Sequence, residues 1–331
     1  MHSVFSGLVF GHACVYHELQ RGLSSKSKEM VGIMVKEARL LEQLHAYGYR
    51  ATFVGLECLA LLQQEVDVSR RREVSSRLYE LFLHRFQYSL PPTDGTWQSI
   101  LLVAAPQKVT TFDFAVGNER CEVVIPPTYL RSGRKLLEQR LQDIVPGIDL
   151  KHVRLPLKLM AARTRLGRYG RNNLLYVDDF GSFNMLFAYY TNIEITGGSW
   201  AEPVLLPACH ACSACINNCP TGCIEEQRFL IHAERCLTTL NELEGEFPDW
   251  LNRRAHNALI GCLRCQDVCP ANSEVLGWRE HGASFSAEET QTILAGVSSI
   301  KEDPKLCEKL ESLDLWAIVD LLPRNLGALL S

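Results

Sequence analysis

No apolar run in this 331-residue chain approaches the roughly 18 to 20 residues needed to cross a bilayer, so no helical membrane span is expected. The start, Met1 to Tyr16, lacks the basic flank of a secretory signal, and the expected compartment is the reducing cytoplasm. No dinucleotide-binding glycine fingerprint, P-loop or His-Glu-x-x-His run occurs, which removes the usual carriers of hydride, phosphoryl and zinc-protease chemistry. A strong net charge is also missing: 34 Lys plus Arg stand against 38 Asp plus Glu. With 47% hydrophobic residues the chain is too apolar to be disordered, and its length suits two or more compact units.

What it has in excess is sulfur. Of 13 cysteines, Cys14, Cys58, Cys121 and Cys307 are scattered, while the other nine fall between positions 209 and 269. An odd total without an export signal argues against a disulfide framework and for metal binding. Cys209, Cys212, Cys215 and Cys219-Pro220 form the Cys-x2-Cys-x2-Cys-x3-Cys-Pro run of bacterial 4Fe-4S ferredoxins, in which the fourth cysteine serves the other cluster. Cys262, Cys265 and Cys269-Pro270 repeat its last three beats, and Cys236 precedes them. Eight ligands for two cubane clusters follow, with a crossed pairing: Cys209, Cys212 and Cys215 with Cys269, and Cys236, Cys262 and Cys265 with Cys219. A zinc site is the alternative, but a triple Cys-x2-Cys-x2-Cys with Cys-Pro at both ends is poor zinc-ribbon spacing. Cys223 is left over, expected as a small buried residue. His210 is expected to face solvent.

Helical spacing runs from 26 to 46 through Val31, Met34, Val35, Ala38, Leu41 and Leu44, and recurs at Val74, Leu78, Leu81 and Phe82. The first hundred residues read as mainly helical, closed by the loop Pro91 to Gly95. Ser99 to Ala105, Thr111 to Val116 and Cys121 to Ile125 read as strands and Arg134 to Ile144 as a helix. Leu174 to Val177 and Asn184 to Tyr190 read as a strand pair around Asp178 to Gly181. The fold class is α+β. Between 131 and 171 eleven basic residues face three acidic ones, a net of +8, which leaves −12 elsewhere. Such a stretch suits a phosphate-bearing cofactor, a nucleic acid or an acidic partner, and a solvated helix face is the plainer reading. Inside it, Arg163 to Leu175 places Gly167, Gly170, Asn172 and Asn173 just before a strand, a common setting for a cofactor.

Taken together, these residues resemble epoxyqueuosine reductases, cobalamin-dependent iron-sulfur enzymes related to reductive dehalogenases. The resemblance rests on Leu166-Gly167-Arg168-Tyr169-Gly170-Arg171-Asn172, Gly181-Ser182, the double cluster pattern with Gln266-Asp267-Val268-Cys269-Pro270, and Pro323-Arg324-Asn325-Leu326. It covers 125 to 280 well and the first hundred residues poorly. It implies a nitroreductase-like core holding base-off cobalamin, then a ferredoxin-like domain with two 4Fe-4S clusters, then a short helical tail. No Asp-x-His-x-x-Gly run is present to offer cobalt a histidine. The divisions are 1–98, 99–200, 201–280 and 281–331. Cofactor-binding candidates carried over are Arg163, Gly167, Gly170, Arg171, Asn172, Gly181 and Ser182.

The resemblance further implies electron transfer from a flavodoxin or ferredoxin through the clusters to cobalt, and reduction of epoxyqueuosine in tRNA, or of another substrate, by a chain expected to be a monomer. Two departures bear on this. The family's proton-donating acid aligns with Ser132, and a serine is a poor general acid near neutral pH. The family's lysine before Asn172 is Arg171, with the same charge and a different hydrogen-bond geometry. No catalytic residue is named; Tyr129, Ser132 and Arg134 occupy the substrate region. An electron-transfer protein or reductive activator of a corrinoid protein stays open as an alternative, and a zinc-stabilised tRNA-binding module as a third reading.

Overall fold

The computed structural model describes residues 25–330 apart from 73–77, 79, 81–82, 91–96 and 130–132. The loop expected over Pro91 to Gly95, most of the second helical repeat, Arg131 and Ser132 lie outside the described residues. Among those described, no helix is long and apolar enough to cross a membrane.

The first sheet is antiparallel in the order β1 (Arg50–Gly55), β2 (Ser99–Pro106), β8 (Asn184–Thr191), β5 (Leu150–His152). Its central strand β2 is apolar at nearly every position, because both faces are covered. Leu101, Val103 and Ala105 point to one side, where Leu40 and Leu44 of the helix Ser25–Ala46 meet Leu137 and Leu141 of the helix Gly133–Ile144. Ile100, Leu102 and Ala104 point to the other, against the helices Cys58–Arg72 and Leu157–Arg163. Two-sided burial explains why this strand reads as a continuous apolar run rather than an alternation. β6 (Arg168–Tyr169) and β7 (Leu175–Tyr176) form a small ladder of their own.

A second sheet has the order β4 (Glu119–Ile125), β3 (Val109–Val116), β9 (Arg279–Phe285). β3 pairs antiparallel with β4 and parallel with β9. The helices Ala287–Ala295, Val297–Glu302, Pro304–Ser312 and Leu322–Leu330 bury Ile293, Ile300, Leu306, Leu310 and Leu326 against Phe112, Phe114 and Phe285 of this sheet. The Phe114 and Phe285 rings stack with centroids 4.5 Å apart.

Two expectations are revised, and the mainly helical first hundred residues also contribute a strand to the core sheet, since β1 pairs with β2 from Arg50↔Ala104 to Gly55↔Ser99. Leu174–Val177 and Asn184–Tyr190 are not partners: β7 pairs with β6, β8 pairs with β2 and β5, and a single bridge, Val177↔Gly181, closes the turn between them. The helical stretch after 281 is not a tail, because its apolar faces form the second core, and the division at 280/281 falls inside β9.

Candidate metal centre

The cysteine segment is built from two short loops of one design. Pro207 opens a 3-10 turn, Pro207–Ala211, that carries Cys209, and one helical turn, Ala214–Asn217, carries Cys215. Downstream, the single turn Arg264–Asp267 carries Cys265, and Pro270 begins the 3-10 turn Pro270–Asn272 directly after Cys269. Proline at the head of a turn forgoes only an amide that would be unpaired there. The two loops are tied by Asn218, whose Nδ2 donates to the Arg264 carbonyl at 2.6 Å.

The chain brings the eight cysteines into two groups. Burial, and after it the surrounding thiolates of Cys209, Cys269 and Cys212, push the Cys215 thiol up to about 11. Cys219, Cys236, Cys262 and Cys265 line one cavity of about 190 Å³. Cys223 also lines it, its Sγ 3.5 Å from Cys219 Sγ, and the hydrogen bond between the two is the chief reason the Cys219 thiol is held down at about 4. Hydrogen bonding with Cys223 is likewise the largest influence on Cys236, lowering it to about 7 against the effect of burial. Asn257 Nδ2 donates to Cys262 Sγ at 3.3 Å, and Tyr176 Oη donates to Cys269 Sγ at 3.1 Å. Among the described residues no three His, Cys, Asp or Glu gather as they would around one metal ion. Two sets of four soft thiols, each furnished with hydrogen-bond donors, fit iron-sulfur cubes, in which each iron takes one thiolate. His210 is exposed and Cys223 is 2% exposed.

The glycine-rich segment from Arg163 onward packs on these loops. Arg171 donates from Nη2 to the Cys209 carbonyl at 2.7 Å and from Nη1 to the Glu226 carbonyl at 3.0 Å. Asn172 Nδ2 donates to the same Tyr176 hydroxyl that reaches Cys269, at 3.0 Å. Gly170 is required here, since a Cβ would lie 2.4 Å from the Tyr176 ring and 2.7 Å from Asn172 Oδ1. Gly181, at φ +52°, lets Ser182 present its amide to Asn272 Oδ1 at 2.9 Å, while Ser182 Oγ donates to Gln266 Oε1 at 2.9 Å. Arg163 instead pairs with Glu65 and Glu202, each at 2.8 Å, and Gly167 sits against the Tyr176 carbonyl. Of the seven cofactor candidates, only Asn172 lines the cysteine cavity, and only Ser182 lines its neighbour.

That neighbour is an apolar cavity of about 440 Å³, walled by Leu155, Leu157, Leu159, Leu174, Leu175 and Leu186. It shares Thr128, Lys158 and Leu174 with the cysteine cavity. Lys158 Nζ donates to the Asn173 carbonyl at 3.0 Å. Tyr129 lies over Gly261, and its hydroxyl donates to Glu242 at 2.5 Å. Burial, then the Glu242 carboxylate, raises Tyr129 well above the usual phenol range. The basic stretch is partly neutralised: Arg134 pairs with Glu138, Arg168 with Asp178, and Arg140 lies over Tyr47 and Tyr49. Lys135, Lys151, Arg154 and Arg165 stay exposed, with no ion pair among the described residues. Tyr176, Asn257, Asn272, Lys158 and Glu242 are the functional neighbours that spacing alone does not single out. Gln266 was visible only as part of the cluster motif.

Residues 208–272 match the family profile described as a 4Fe-4S double cluster binding domain. The epoxyqueuosine reductase of Burkholderia pseudomallei is 33% identical over 231 residues, 63% of this chain and 53% of that protein. The one from Staphylococcus aureus is 25% identical over 245 residues, 70% of this chain and 56% of that protein. The chain thus spans about half the length of these curated relatives. Among solved structures, epoxyqueuosine reductase from Streptococcus thermophilus aligns with TM-score 0.56 at 17% identity, covering 88% of this chain and 80% of that one. The Bacillus subtilis structure aligns with TM-score 0.54 at 21% identity over the same shares, and these two likenesses speak for the fold. The chain thus carries a 4Fe-4S double cluster binding domain and is similar to epoxyqueuosine reductases, in sequence over about half of their length and in fold.

Proposed function

We propose that the chain is an iron-sulfur reductase of the epoxyqueuosine reductase type, in which two 4Fe-4S clusters serve a base-off cobalamin and the substrate is epoxyqueuosine in a tRNA or a related compound. Cys209, Cys212, Cys215 and Cys269 hold one cluster; Cys236, Cys262, Cys265 and Cys219 hold the other. The observation that carries this reading is the adjacency of the two cavities: four of the proposed ligands line a space that shares Thr128, Lys158 and Leu174 as wall with the leucine-walled one. A cobalamin held there would supply one-electron cobalt chemistry for reducing a substrate. The leucines exclude water from a corrin face, and Arg171 and Asn172 hold the cluster loop and its tyrosine against the core. Exposed Lys135, Lys151, Arg154 and Arg165 suit the phosphates of a tRNA arm, which dominate nucleic-acid affinity. A flavodoxin or ferredoxin-type protein is the proposed donor.

The test is an anaerobic absorbance spectrum of reconstituted protein with and without cobalamin, followed by turnover of an epoxyqueuosine-bearing stem-loop. Iron, sulfide and a base-off corrinoid band are expected; stoichiometric zinc without sulfide would overturn the reading. A second reading, a reductive activator of another corrinoid protein, is favoured by one observation: Arg163 and Arg171 are committed to protein partners rather than turned to a cofactor. Clusters that reduce a corrinoid protein, with no cobalamin retained and no stem-loop turnover, would establish it instead.

A further inference from the structure

Cys223 is the sulfur that eight-ligand bookkeeping leaves over, yet it sits among ligands. Its Sγ lies 3.5 Å from Cys219 Sγ, and its backbone amide points at that same sulfur from 3.4 Å. The position is rigid. The turn from Cys219 passes through Gly222 at φ +58°, and the Cys223 carbonyl accepts from the His232 amide at 2.9 Å. The His232 carbonyl in turn accepts from the Cys236 amide at 3.1 Å, so one strap fixes all three sulfurs. Around them Ile216, Ile224 and Ile231 keep the site apolar.

Two roles are open to a fifth sulfur here: a ligand or a donor. A cube of four irons takes four thiolates, and Cys219, Cys236, Cys262 and Cys265 already line the cavity. Iron-bound thiolates carry no proton and only accept. The proton between these sulfurs therefore belongs to Cys223. Hydrogen bonds to ligand sulfurs favour the more negative, reduced state of a cluster and raise its potential.

We propose that Cys223 is a positioning residue for electron transfer: its S–H donates to the ligand sulfur of Cys219 and raises the reduction potential of the cluster that this sulfur helps to hold. This rests on the iron-sulfur reading above. One electron enters and leaves that cluster; no bond to Cys223 forms or breaks.

The test compares the anaerobically reconstituted full chain with Cys223→Ala and Cys223→Ser by iron and sulfide content and by a redox titration followed by electron paramagnetic resonance. Both variants should keep the parent's iron and sulfide. One midpoint should fall in the alanine variant while the other stays, and serine, which restores a donor, should bring it back to the parent's value or above. Loss of about half the iron from the alanine and serine variants alike would make Cys223 a ligand and overturn the proposal, as would unchanged midpoints, a shift of both together, or a serine midpoint as low as alanine's. If the alanine chain fails to accumulate, the serine midpoint decides alone: at or above the parent's it supports the donor, below it the proposal falls. A parent chain that binds no iron and sulfide would overturn the iron-sulfur reading itself, a separate failure.

Discussion

Arg171 offers the sharpest test of how the core holds the cluster loop. Its guanidinium reaches two carbonyls on different turns, Cys209 at 2.7 Å and Glu226 at 3.0 Å, a spread that one ammonium cannot reproduce. A hydrogen bond to a charged donor contributes about 1.5–3 kcal/mol. The bond to Glu226 is exposed and deserves a smaller share, since solvent screens it. Arg171→Ala should therefore weaken the closed loop by about 2 kcal/mol, and Arg171→Lys, keeping one bond, by about 1 kcal/mol. At 1.4 kcal/mol per tenfold, the alanine change raises the open-loop population about 30-fold and the lysine change about 5-fold. The assay is iron release to a coloured chelator from anaerobically reconstituted protein, with resonance spectra taken before and during release to identify which cluster is lost. The cluster held by Cys209 should go first, in the order alanine, lysine, parent. Equal loss of both clusters, or a lysine variant as labile as alanine, would refute the two-carbonyl account.

Tyr176→Phe removes the hydroxyl between Asn172 and Cys269, leaves a buried amide donor unpaired at a cost of about 1–3 kcal/mol, and should lower the potential of the Cys269-bound cluster; a denaturation series and a redox titration check the two effects separately. The crossed pairing predicts that Cys269→Ala spares the cluster of Cys236, Cys262 and Cys265, whereas Cys219→Ala spares that of Cys209, Cys212 and Cys215; resonance spectra of the two variants should differ in which signal survives. His256 gives a pH test. Burial first, then the Arg324 guanidinium, hold its imidazole below the ordinary 6.5. Below about pH 6.5 the unfolded chain takes up a proton that the folded chain refuses, so stability falls as pH drops toward the folded value and levels off beneath it. His256→Gln should flatten the thermal midpoint over that window, and an unchanged slope would count against the assignment.

Metal ligands are the part of this site that a sequence displays best, because a cube demands thiols at short fixed intervals and proline marks where each loop turns away. β2 and the helix Ser25–Ala46 were legible for a related reason, since their apolar spacing is set by local geometry. β1 was not, because Arg50 to Gly55 becomes a strand only by pairing with residues 99 to 104, and nothing within six residues announces a partner so far along the chain. β9 was hidden similarly: five of its seven residues, Arg279, Glu280, His281, Gly282 and Ser284, are exposed, and its parallel pairing with β3 supplies the order that apolar alternation would otherwise signal.

Gly167, Gly170, Asn172, Gly181 and Ser182 divide differently. Their types indicated close approach and dense hydrogen bonding, but what approaches is the chain itself: Tyr176 of β7 over Gly170, and from the cysteine segment Asn272 at Gly181 and Gln266 at Ser182. A contact between two parts of one chain and a contact with a cofactor ask for the same residues, since both need a bare backbone and a short amide or hydroxyl. The leucine-walled cavity asks for neither. Leu157 and Leu159 come from the start of one helix and Leu155 from the chain just before it, Leu174 and Leu175 from β7 and its approach, and Leu186 from β8, and apolar bulk at such scattered positions has no spacing to recognise. The motif therefore marks the clamp that holds the clusters beside the cavity, while the cavity that would hold the cofactor is written in residues indistinguishable from core.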